Sequence, residues 1–140
     1  MEPLYINGEW IEPDSGRIRA TSPIDGSTLG TVAAGSEAHV DDAVRATVEA
    51  SDALRELNVH QRAEAIETAM DVLEDRLEEI VSTMTEEVGK TTSEAREEVE
   101  SAVRSGREYA ADAVRLTGEV TRSQYDDRHN FTRREPHGPA

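Results

Sequence analysis

The side chains best suited to chemistry are four histidines, several adjacent carboxylate pairs and one Gly-Lys-Thr triplet. His39, His60, His129 and His137 show no H-x-x-x-H or similar ligand spacing, and each stands among polar neighbours. Imidazole catalysis and metal binding both need a partnered environment, so surface histidine is the expectation. Glu78-Glu79, Glu86-Glu87 and Glu97-Glu98 could attract a divalent cation, but none belongs to a glycine-turned calcium loop, and they read as solvated helix faces. Gly89-Lys90-Thr91 has the ending of a phosphate-binding loop. The loop's first glycine is missing, because Met84 stands five residues before Gly89, and the preceding pattern is helical rather than a strand. No G-x-S-x-G elbow presents a serine. The absence of cysteine removes a thiolate nucleophile, a thiolate zinc site and a disulfide framework. The residue types therefore predict no catalytic, cofactor-binding or metal-binding residue within these 140 positions.

The elements that would position any site fall into three stretches. Residues 4–35 read as short strands and turns. Leu4, Ile6 and Trp10 flank Asn7-Gly8, the strongest two-residue hairpin signal. Asp14-Ser15-Gly16 breaks the chain before an alternating stretch through Ile18 and Ala20. Pro23 and Asp25-Gly26 mark another turn, and Leu29, Thr31 and Val32 another strand. Three amphipathic helices are predicted next. The first opens after the N-cap Ser36, with Glu37 in the first turn, and carries Val40, Val44, Val48, Leu54 and Leu57. The second opens on an Asn58–Gln61 capping box. It runs through Ile66, Met70, Leu73, Leu77, Ile80, Met84 and Val88 to a stop at Gly89. The third starts near Thr91 with Glu94 as box partner, carries Ala95, Val99, Val103, Gly106, Tyr109, Ala113 and Leu116, and ends at Gly118. In residues 119–135, Val120, Thr121, Ser123 and Tyr125 favour a strand, Asp126-Asp127 a turn, and Asn130, Phe131 and Thr132 a return strand. Such a polar two-stranded arm has no core of its own and needs burial by another surface. The segment is thus α+β.

Acidic residues number 30 against 15 basic ones, for a formal net charge of −15. The basic side chains are fourteen Arg and the single Lys90, and aromatics are only 4 % of the chain. A protein of this composition suits high salt, where screening removes its self-repulsion. The charge argues against nucleic acid as a partner. No apolar run approaches the roughly 20 residues that span a bilayer, and residues 1–10 lack a signal-peptide pattern, so no membrane association and a cytoplasmic setting are expected.

The order of short motifs adds a resemblance. Tyr5-Ile6-Asn7-Gly8-Glu9-Trp10, Ser15-Gly16, Ser22-Pro23-Ile24-Asp25-Gly26 and Leu29-Gly30 are followed by Val40-Asp41-Asp42-Ala43-Val44 and Gln61-Arg62-Ala63. Glu87-Val88-Gly89-Lys90, Glu94-Ala95-Arg96 and Arg133-Arg134-Glu135-Pro136-His137-Gly138 complete the series. Together they resemble the N-terminal part of the NAD(P)-dependent aldehyde dehydrogenase superfamily. The family usually has aromatic residues where Ser51 and Leu54 stand, a departure that thins the core.

The resemblance implies an α/β fold for the complete enzyme and oxidation of an aldehyde to a carboxylic acid with NAD or NADP. In the family a cysteine thiolate attacks the aldehyde, hydride passes to the nicotinamide, and a glutamate activates the water that releases the acid. Those residues and the dinucleotide loops would lie beyond Ala140, so the isolated chain is expected to be inactive and to bind neither NAD nor NADP alone. Some members hold a monovalent cation near the counterpart of Ala20-Thr21 with a carboxylate from the third helix, but Val99 stands at that carboxylate's position and no metal is expected. By the same resemblance, residues 1–118 belong to the cofactor-binding domain and 119–140 begin an oligomerisation arm. Residues 119–135 would meet the rest of the dehydrogenase or a second subunit. Two other readings are compatible with the residues: a non-enzymatic acidic helical module that binds a protein, and one chain of a split dehydrogenase. Alone, such a chain is expected to be fragile, because three small-residue helices bury little area against the entropy of ordering.

Overall fold

The computed structural model describes residues 2–12 and 15–139. Asp14, expected in a chain break, lies outside them. β1 (Leu4–Ile6) and β2 (Glu9–Ile11) pair antiparallel around Asn7 and Gly8, with Tyr5 opposite Trp10. Both turn residues have positive φ, 52° and 82°, the mirror-image geometry that matches the twist of the flanking strands. Leu4, Ile6 and Ile11 are half-buried on one face, while the Tyr5 and Trp10 rings meet at 4.8 Å on the other. β3 (Arg17–Thr21) and β4 (Thr28–Ala33) form a second hairpin with an irregular register at Ala20/Thr21. Its turn is held by the Asp25 carboxylate, which accepts the Ser27 N–H at 3.0 Å, and by the buried Ser22 hydroxyl, which accepts from Ile24. Glu2 joins the β4 edge by exchanging backbone hydrogen bonds with Thr31 and Ala33.

α1 (Glu37–Glu56) opens on Ser36, as expected, but its box partner is an imidazole: Ser36 N–H donates to His39 Nδ1 at 3.0 Å. α2 (Val59–Asp75) opens on Asn58, whose side chain accepts from His60 and Gln61 while its own N–H donates to Gln61 Oε1 at 2.9 Å. The second amphipathic run, expected as one helix, is two. Arg76, at φ −99° and ψ 14°, bends the chain between α2 and α3 (Leu77–Val88). Backbone bonds from Arg76 N–H to Val72 O and from Ile80 N–H to Arg76 O carry across the bend, so the apolar spacing survives it. No Gly or Pro marks the kink, and periodicity alone does not distinguish a bent helix from a straight one. α3 stops where expected, at left-handed Gly89 (φ 77°), and α4 (Thr92–Ala113) opens on the Thr91–Glu94 box. The end of α4 differs from expectation: it closes at Ala113, and Gly118 is not its cap.

The core lies where α4 meets α2 and α3. Val81, Ala95 and Val99 are buried together, with Leu77, Ile80 and Met84 packed against them, and Ala63, Val103 and Ala110 are buried nearby. A Cβ on Gly106 would stand 2.1 Å from Met70 Sδ, so this glycine admits α2 close to α4. The tail forms the expected hairpin, β5 (Val120–Arg122) with β6 (His129–Phe131), and all six strand residues are exposed. Gly118 sits at its base, where a Cβ would lie 1.7 Å from the Thr132 carbonyl oxygen. Its role is steric clearance, with Thr132 N–H donating to Glu119 O at 2.8 Å beside it. The described residues are therefore α+β: four helices and three separate two-stranded antiparallel sheets.

Gly89→Ala should lower stability by about 1–2 kcal/mol, the cost of forcing an L side chain into the left-handed region, because its Cβ would also stand 2.9 Å from Pro23 Cγ. Gly30→Ala, with open space around it, is the control and should unfold in urea near the parent midpoint. Equal midpoints for the two variants would contradict the assignment of Gly89 as a required left-handed cap.

Candidate functional site

The residues singled out for chemistry are spread through the fold rather than gathered. His39 caps α1; His60 is in the first turn of α2; His129 and His137 are exposed in the tail. Gly89-Lys90-Thr91 forms the α3–α4 corner. Gly89 ends one helix, Thr91 caps the next, and the Lys90 ammonium pairs with the Glu98 carboxylate. Glu86 and Glu87 stay on the exposed face of α3. Among the described residues, no group of three or more His, Cys, Asp or Glu side chains could hold a metal ion. Val99 is 6 % exposed inside the helical core, an apolar setting unsuited to a cation.

Ser36, Asn58 and Thr91 cap α1, α2 and α4 with side chains that accept N-terminal amides, and every strand pairing in the three sheets is antiparallel.

Electrostatics instead lace the helices together. Arg107 Nη2 on α4 donates to Asp71 and Glu74 on α2, each at 2.7 Å, and these carboxylates hold its guanidinium protonated even more firmly than usual. Arg96 on α4 pairs with Glu78 on α3 at 2.7 Å, and its hydrogen bond holds the Glu78 carboxyl below the usual glutamate range. The Thr91 hydroxyl and backbone N–H do the same to Glu94. Arg76 chelates Glu79 beside the kink through Nε and Nη2, at 2.9 and 2.6 Å.

The feature that looks functional is apolar. α1 buries no residue, and Val40, Val44, Val48 and Leu54 leave 54–60 % of their surface in water. A valine stripe at a four-residue step on one helix is an uncovered packing face. The arm adds Val120 at 82 % and Phe131 at 76 % exposure. The sequence showed the stripe through its periodicity; which helix face stays bare depends on packing between elements, which periodicity does not give.

The family model for the aldehyde dehydrogenase family matches residues 10–140, and the chain belongs to that family. Its relatives include the alpha-ketoglutaric semialdehyde dehydrogenase of Bacillus subtilis, 37 % identical over 136 residues, which are 96 % of this chain and 28 % of that one. The NADP-dependent glyceraldehyde-3-phosphate dehydrogenase of Bacillus halodurans, complexed with NADP, superposes at a TM-score of 0.83 and 30 % identity, over 90 % of this chain and 27 % of that one. A salicylaldehyde dehydrogenase of Pseudomonas putida reaches 0.90 over 96 % of this chain and 28 % of that one, and its 23 % identity speaks to the fold. The chain thus spans little more than a quarter of the length of these relatives. No helix among the described residues is long and apolar enough to cross a membrane.

The depressed Glu78 and Glu94 groups carry a pH dependence of definite sign. A carboxyl held lower in the folded state stabilises above its unfolded pKa, about 4.3, and that stabilisation disappears as pH falls through this range and below. A Glu78→Gln/Glu94→Gln variant should therefore melt below the parent at about pH 7, with the gap closing at about pH 3. Thermal melts at low ionic strength measure it, and a gap independent of pH would contradict the pairing.

Proposed function

We propose that this chain forms the N-terminal part of an NAD(P)-dependent aldehyde dehydrogenase unit that oxidises an aldehyde to a carboxylic acid. The observation that carries this reading is the family match over residues 10–140. Residues 1–118 contribute the outer strands and helices of the cofactor-binding domain, and residues 119–140 begin the arm that joins the rest of the unit or a second subunit. The uncovered apolar stripe of α1 and the bare β5–β6 hairpin, with Val120 and Phe131 exposed, support that division, since neither is covered among the described residues. NAD or NADP belongs to the complete unit, whose setting is the cytoplasm. The chain alone has no cysteine to form the thiohemiacetal and is inactive.

A second reading, a non-enzymatic acidic helical module or one chain of a split dehydrogenase, is favoured by the same exposed valine stripe. Co-purification separates the two: a complementary dehydrogenase chain marks a split enzyme, and an unrelated partner without it marks the module.

The composition supports a halophilic setting. The charge of −15, one lysine and fourteen arginines give a surface whose repulsion is removed when the Debye length shrinks to about 3 Å in molar salt.

Pure chain incubated with an aldehyde and NAD or NADP should form no NADH or NADPH, and aldehyde-dependent formation of either would overturn the inactivity. Its thermal midpoint should rise between about 0.1 M and about 1 M sodium chloride, by about 3–4 °C for each kcal/mol of repulsion removed. A midpoint that falls with salt would show that the cross-helix ion pairs outweigh the repulsion, against the halophilic reading.

A further inference from the structure

The chain has three methionines and no cysteine, so thioethers are its only sulfur groups open to oxidation. Met1 lies outside the described residues. Met84 packs with Leu77 and Ile80 against the Val81, Ala95 and Val99 cluster. Met70 is placed differently. From α2 its thioether lies across Gly106 of α4, where a Cβ would overlap Sδ and stand 2.9 Å from Cγ and 3.1 Å from Cε. The sulfur therefore rests on helix backbone, which cannot rotate aside as a neighbouring side chain can. α2 makes its main packing on α4, so this contact sits on the principal seam of the helices.

Met70 is only half-buried, and the rim beside it is charged and wet. Asp71 and Glu74 share the Arg107 guanidinium there, with 69 % and 59 % of their side chains in water. A small oxidant therefore reaches one side of the sulfur while the other side lies on α4. Oxidation turns the apolar thioether into a polar sulfoxide. On the Gly106 side an added oxygen has no room. On the water side its hydration draws the sulfur off the helix wall. Either epimer loosens the contact. We propose that Met70 is an oxidation site whose thioether acts as a reversible latch on the α2–α4 seam. The oxidant is a peroxide: its O–O bond breaks, one oxygen bonds to Sδ and the other leaves as water, and the sulfur gives up two electrons. Return uses a methionine sulfoxide reductase and a dithiol, which becomes a disulfide as the oxygen leaves as water. The latch goes beyond the dehydrogenase reading, and its test uses neither aldehyde nor dinucleotide, so each fails without the other.

Limited treatment of the 140-residue chain with hydrogen peroxide tests it, in about 1 M sodium chloride to screen self-repulsion. Circular dichroism confirms the helices first, peptide mass spectrometry locates the added oxygen, and thermal melts read the seam. One oxygen at Met70 should lower the midpoint by about 3 °C or more. Sulfoxide reductases for both epimers, with dithiothreitol, should restore it. Met84→Leu leaves Met70 as the one internal methionine and should keep both the drop and its repair. Met70→Leu, a swap of similar volume, should melt near the parent and lose the drop. Met70→Gln, polar without oxidation, should melt low from the start. The Met84→Leu result stands even where Met70→Leu misfolds. Oxygen at Met70 with an unchanged midpoint, a drop that vanishes in Met84→Leu, a drop the reductases leave in place, or a Met70 that stays reduced while Met84 oxidises would overturn the proposal.

Discussion

The fold depends on one face of α4. Ala95, Val99, Val103, Gly106 and Ala110 present small surfaces along its length, and α2 and α3 settle onto them. Close approach is bought with small side chains, so no large side chain is fully buried anywhere among the described residues. The bend at Arg76 follows from the same constraint, since it allows two consecutive helices to lie along a single partner. So does the tight α3–α4 corner, where left-handed Gly89 packs under Pro23 and Thr91 opens the next helix. Ion pairs from Arg96 and Arg107 then fix the seam from its wet edges, where each adds little on its own.

Such a core leaves much apolar surface unused. The α1 stripe, the outer face of the first hairpin and the β5–β6 arm all place hydrophobic side chains in water. An acidic excess keeps such a chain soluble while opposing its compaction. Membership in a family whose chains are more than three times as long gives those surfaces a common explanation. Each is a face that the proposed larger unit would cover.

Much of this organisation was legible in the residues. Asn7-Gly8, Ser36, the Asn58–Gln61 and Thr91–Glu94 boxes and Gly89 each fix a local geometry through their own backbone or side chain, and each stands where the sequence placed it. What escaped depends on partners distant in the chain. Arg76 bends a helix without disturbing its apolar period. Gly118, which resembles a helix-ending glycine, is required by a carbonyl fourteen residues away at Thr132. His39 serves as a cap partner through its ring nitrogen, a role usually given to Glu or Gln. The motif order carried the family resemblance, because it reflects the whole fold rather than any one site.

The central claim is that this segment works inside an aldehyde-oxidising assembly. The most direct measurement is aldehyde-dependent reduction of NAD or NADP by material captured from the source cells with an antibody against α4. Activity retained on the antibody in proportion to the captured segment is the expected result. Complete capture of the segment with no such activity would contradict the account.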